Sequence, residues 1–164
     1  MRITRRLREN VDKHRGIAYN TTMATYQIVI DTNVFIAALR SRRGASHRLL
    51  MLLGSEKFDV NVSVPLVLEY EDAASRLIGE IALDEWDIRD IIDYICRVAN
   101  QREVYYLWRP FLKDPGDDMV LELAVTAKCE FIVTYNIQDF EGVERFGVEV
   151  VRPREFLEKI GELL

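Results

Sequence analysis

Short β-branched runs alternate with stretches of helical period along this chain. Ile28-Val29-Ile30 is apolar at consecutive positions, the pattern of a strand buried on both faces, and it gives way at once to Asp31-Thr32-Asn33. The pattern predicts a strand over Gln27–Asp31 and a helix over Asn33–Leu39, with Asn33 or Thr32 able to cap it. A basic loop, Arg40 to Ser46, holds a Gly breaker, and Ser46 is the expected N-cap of a helix over His47–Leu53 that Gly54 stops. Alternation at Phe58, Val60, Val62 and Val64 predicts a second strand, and Pro65 opens a helix that carries Glu69 and runs to about Leu77. Leu83–Asn100 is the most periodic segment, with Ile88, Ile91, Ile92 and Ile95 on one face and Arg89, Asp90, Asp93 and Arg97 on the other, and is assigned to packing. Further on, the pattern predicts a strand at Val104–Trp108, a helix opened by Asp117 and Asp118, a buried strand at Phe131–Thr134, a last strand at Val148–Val151 and a last helix at Pro153–Ile160. Strands alternating with helices imply an α/β protein whose parallel sheet is covered on both faces.

Composition changes this picture little. The 164 residues are 49% apolar and 30% charged, enough for one domain over 27–164 with a substantial core. No apolar run approaches the roughly 20 residues of a membrane span, and the basic N-terminus lacks the apolar segment of a secretory signal. Cys96 and Cys129 have no CxxC spacing and are expected to be small buried hydrophobes in a reducing cytoplasm. Charge is uneven: net −5 overall, but +4 over residues 1–22 and −9 over the rest. Residues 1–26 are expected to be a basic arm, with Met23 as an alternative natural start. The acidic body excludes indiscriminate nucleic-acid binding; contact with nucleic acid would need a local basic strip beside an acidic pocket.

The acids fall at predicted strand ends. Asp31 closes the first strand, and Glu69 lies one turn into the helix after the second. Asp117 and Asp118 start the helix before the Phe131 strand; Thr134, Asn136 and Asp139 follow that strand. Ligands of open parallel sheets bind at this edge. Each acid has a plain alternative: Asp31 as a cap, Glu69 as a dipole partner, Asp117 or Asp118 as caps, Glu122 as a solvated surface residue, Asp139 in a turn. Together they would repel one another, and a divalent cation resolves such repulsion. His14 and His47 have no partners in spacing, so zinc is disfavoured and Mg²⁺ or Mn²⁺ expected. Such a site can bind a phosphodiester, activate a water and stabilise the leaving oxygen. Arg40, Arg42, Arg43 and Arg48 are candidates to grip flanking phosphates, with a solvated loop as the alternative. Tyr105, Tyr106 and Trp108 are assigned to strand-end packing, with base stacking as the alternative.

Four segments in order, Val29 to Ile36, Ser63 to Tyr70, Asp114 to Asp118, and Ile132 to Asn136 with Asp139-Phe140, resemble the motifs of PIN-domain ribonucleases over about residues 27–160. The chain is similar to the toxin component of bacterial toxin–antitoxin pairs within that family. The resemblance implies a three-layer α/β/α sandwich with a central parallel sheet, and Mg²⁺- or Mn²⁺-dependent cleavage of RNA. It matches Asp31, Glu69 and Asp118 to the three most typical acids, with Asp117 as the near alternative. Asn136 stands where a fourth acid is usual, so Asn136 or Asp139 would place a second ion or a water, and Thr134 would order a carboxylate. An antitoxin and a homodimer are the implied protein partners. The rival expectation is a PIN-like module that binds RNA or a protein without cutting.

Overall fold

The computed structural model describes residues 25–105 and 110–163. The basic arm lies almost wholly outside the described residues, as do Tyr106 and Trp108. Strands β1 (Tyr26–Ile30), β2 (Phe58–Val62), β3 (Asn100–Gln101), β4 (Phe131–Val133) and β5 (Glu149–Val151) form one parallel sheet in the order β3-β2-β1-β4-β5. Helices α1 (Thr32–Arg40), α2 (Ala45–Met51), α3 (Val64–Ser75), α4 (Glu85–Val98), α5 (Pro115–Thr126) and α6 (Pro153–Lys159) complete a three-layer α/β/α fold. The central strands read as continuous apolar runs because both faces are covered: Ile28, Val29, Ile132 and Val133 are fully buried. Strand order reverses between β1 and β4, which makes their C-terminal ends the switch point where such sheets bind ligands.

The opposite edge of the sheet is apolar. Phe156 of α6 is fully buried and meets Phe58 and Phe131 edge-on, with ring centroids 5.3 and 5.5 Å away. The N-terminal end of the sheet is thus closed by an aromatic cluster.

Four local expectations are corrected. The third strand is Asn100–Gln101, immediately after α4; of the strand expected at Val104–Trp108 only Val104 and Tyr105 are described, neither is in a strand, and Tyr105 is 79% exposed and packs in no core. Helix α5 starts at Pro115 and is capped by Asp114, whose Oδ1 accepts from the Gly116 N–H at 2.7 Å, so Asp117 and Asp118 lie inside its first turn. Helix α2 has Gly44 as N-cap, and Ser46 is a buried residue within it. Glu122 is buried rather than solvated, because α5 is enclosed along most of its girth, with Val120, Leu121, Leu123 and Ala124 buried beside it.

Candidate functional site

Asp31 occupies the N-cap position of α1 yet makes no side-chain capping bond. Its carboxylate turns to the end of β4 instead. Thr134 Oγ1 donates to Asp31 Oδ2 at 2.6 Å, and Asn33 Nδ2 donates to the same oxygen at 2.8 Å. Asn33 Nδ2 also reaches Thr134 Oγ1 at 3.0 Å, and Asn33 Oδ1 accepts from the Tyr135 N–H at 3.2 Å. Thr134 Oγ1 further accepts from the Asn136 N–H at 3.0 Å. This closed network ties the ends of β1 and β4 together and fixes Asp31 as a buried, oriented carboxylate. Asn33, expected only as a cap, is its hub; the signal was the i, i+2 spacing to Asp31, which lets one amide serve both strands.

Glu69 approaches from α3. A Cβ on Gly116 would stand 3.8 Å from Glu69 Oε2 and 2.9 Å from Asp114 Oδ1, so the Glu69 carboxylate lies against the first turn of α5. Asp117 in that turn joins the cluster. Its carboxyl is pushed up to about 6, first by burial and then by the charges of Asp31, Asp114, Asp139 and Glu69. Asp31 is likewise raised, chiefly by burial, with Glu69 adding and the Thr134, Thr32 and Asn33 hydrogen bonds opposing. No Lys or Arg among the described residues pairs with Asp31, Glu69, Asp117 or Asp139.

Asp118 does something else. It is buried, and its Oδ1 accepts from the backbone N–H groups of Phe111 and Leu112 at 3.2 and 2.8 Å. It clamps the incoming loop onto α5. Of the two acids expected as alternatives at this position, Asp118 is thus engaged by the loop while Asp117 shares the field of Asp31, Asp114, Asp139 and Glu69: on a helix, adjacent residues point about 100° apart. Asp139 is exposed in a short 3₁₀ turn, Ile137–Phe140, and belongs to the cluster by its effect on Asp117. Asn136 is exposed at the start of that turn, beside Thr134.

The basic strip splits. Arg48 pairs with Glu162 at 2.6 Å and Arg40 approaches Glu80 at 3.8 Å, so both are engaged on the surface. Arg42 and Arg43 are exposed without an ion pair among the described residues. A hydrogen bond of 2.7 Å between Ser46 Oγ and Tyr135 Oη brings the start of α2, and the loop bearing these arginines, beside the end of β4.

The donor chemistry of the cluster, carboxylates and an amide without thiolate or imidazole, fits a hard dication. The side chains are not already closed around one: among the described residues no group of three acidic, His or Cys side chains is placed to hold a metal ion. Among the described residues no helix is long and apolar enough to cross a membrane.

No curated protein matches the chain. Among solved structures, VapBC2 from Rickettsia felis bound to a DNA fragment from their promoter contains a chain of the same fold. It is 13% identical, with a TM-score of 0.54, over 76% of this chain and 98% of that one. The family model described as PIN domain matches residues 27–138, which include most of β1, Glu69, Asp117, Asp118 and the Asn33–Thr134 network; the chain belongs to the PIN domain family.

Proposed function

We propose that this protein is a Mg²⁺- or Mn²⁺-dependent endoribonuclease and the toxin of a toxin–antitoxin pair. The observation that carries this is the meeting of Asp31, Glu69, Asp117 and Asp139 at the switch point of the sheet, with no cationic side chain among the described residues to offset them. Membership of the PIN domain family, whose members are generally nucleases, supports it. Asp31, Glu69 and Asp117 would hold the ion, directly or through waters, and Asp139 or Asn136 would place a second ion or the attacking water. When bound, the cation polarises the scissile phosphodiester and lowers the pKa of water. The chain's own part is orientation: Thr134 and Asn33 hold Asp31 Oδ2 in place, leaving its other oxygen to point away from their network. Arg42 and Arg43 would take phosphates on either side of the cleaved bond. In-line attack would leave a 5′-phosphate and a 3′-hydroxyl. An antitoxin protein would hold the site inactive, and a homodimer is the proposed assembly.

The test pairs calorimetric titration of the metal-free protein with Mn²⁺ and an RNA cleavage assay with and without Mn²⁺. Binding together with cleavage only in the presence of the ion is expected. Cleavage that survives chelation, or no Mn²⁺ binding at all, refutes the assignment.

A module that binds without cutting is favoured by one observation, the lack of a ready group of three ligands among the described residues. It is distinguished by RNA retention without cleavage at saturating Mn²⁺.

The cluster also gives stability a pH signature. Asp117 keeps its proton up to about 6 in the folded chain, against 3.8 for the ordinary group. Between those values the native state binds a proton that the unfolded chain has released, so stability falls as pH rises. In metal-free protein, the Tm of the unaltered chain should therefore drop relative to that of Asp117→Asn as pH goes from 4 to 6. Added Mg²⁺ should close the gap at pH 7. A thermal-denaturation series across pH reads both effects.

A further inference from the structure

We infer that the Tyr70 hydroxyl is the strut that sets the spacing between Asp31 and Glu69, which makes Tyr70 a positioning residue of the acidic site. The inference rests on the proposed function for its readout and on backbone geometry for its argument. Asp31 N–H donates to Val133 O at 2.9 Å, toward β4. Across a trans peptide the carbonyl of Ile30 points the opposite way, toward the β2 side. The β1–β2 pairing runs from Tyr26 and Phe58 to Ile28 and Val60, so Ile30's carbonyl lies beyond its last rung. The Tyr70 hydroxyl donates to it.

Tyr70 directly follows Glu69 and Ile30 directly precedes Asp31, so this one side-chain-to-backbone bond links the residue beside one acid to the residue beside the other. The ring that delivers the hydroxyl is 2% exposed and lies against Phe35 with centroids 4.7 Å apart, which gives the strut little freedom. Glu69 has no ion pair among the described residues to hold it. Asp31 and Glu69 repel each other. Two like charges that must share a ligand need their main chains fixed from outside the pair, and the hydroxyl supplies that restraint from below without adding a charge.

The experiment is Mn²⁺ titration of the full chain and of Tyr70→Phe, with steady-state cleavage of RNA across Mn²⁺ concentrations. The variant keeps the ring and removes only the donor. Its Mn²⁺ affinity should weaken by about tenfold, the range seen when groups that orient metal ligands are removed. Its kcat at low Mn²⁺ should fall in step and recover at saturating Mn²⁺, with KM for RNA unchanged. Phe156→Leu is the control for general loosening: it removes a fully buried ring at the opposite edge of the sheet and leaves Tyr70 and Phe35 in place, so Tm should fall while Mn²⁺ affinity holds. Unchanged Mn²⁺ affinity in Tyr70→Phe, or an equal weakening in Phe156→Leu, overturns the inference and leaves the function standing. No Mn²⁺ binding by the unaltered chain overturns both.

Discussion

Asp31→Asn is expected to lower Mn²⁺-dependent RNA cleavage by about a thousandfold, the loss of ~4 kcal/mol of transition-state stabilisation, without destabilising the fold. Both halves follow from the same surroundings. Oδ2 accepts from Thr134 and Asn33, and an asparagine oxygen can take that position and keep both bonds. What the amide removes is the charge. That charge is disfavoured in the folded state, first by burial and then by Glu69. A carboxyl whose folded pKa is raised weakens the fold once pH exceeds its unfolded value, so at pH 7 the neutral amide should raise the Tm of metal-free protein. Scanning calorimetry without metal, set beside cleavage with Mn²⁺, reads the two effects separately. A variant that is both less stable and less active would indicate a structural carboxylate. One that is more stable and inactive has lost a ligand.

The architecture was legible because β1 and β4, at the centre of a parallel sheet covered on both faces, carry continuous apolar runs. Ile28-Val29-Ile30 and Phe131-Ile132-Val133 could hardly be anything else. The acids were legible for a related reason: a polar residue directly after such a strand sits at the sheet's open edge, as Asp31 and Thr134 do. What escaped the pattern was set by tertiary contact. The edge strand Asn100–Gln101 is two residues long and polar, and only pairing with Asn61 and Val62 makes it a strand. Asn33 is an ordinary capping residue by spacing, and two of its partners, Thr134 and Tyr135, lie about a hundred positions away just after β4. Tyr70 reads as one more apolar position of a helix; nothing in local sequence says that its hydroxyl meets Ile30. Arg40 and Arg48 looked like free cations until Glu80 and Glu162 arrived from distant turns.

The adjacent acids of α5 should separate cleanly on mutation, although the sequence presents them as interchangeable. Asp117 shares the field of Asp31, Glu69, Asp114 and Asp139, whereas the Asp118 carboxylate is committed to the N–H groups of Phe111 and Leu112. Asp117→Asn should reduce Mn²⁺ affinity and cleavage by about a hundredfold, since it removes one of three proposed anionic ligands. Asp118→Asn should stay within about threefold of the unaltered chain, because an amide oxygen still accepts from both N–H groups. Asp118→Ala should cost about 2 kcal/mol of stability, leaving two backbone donors, one of them at buried Leu112, without their acceptor. Its activity should fall only as far as the loosened loop disturbs Asp114 and Asp117. The decisive comparison is between the two asparagine variants, which are alike in volume and in lost charge. If Asp118→Asn proves as inactive as Asp31→Asn while Asp117→Asn still cleaves, the helix presents the opposite acid to the substrate, and the loop clamp must open before the ion binds.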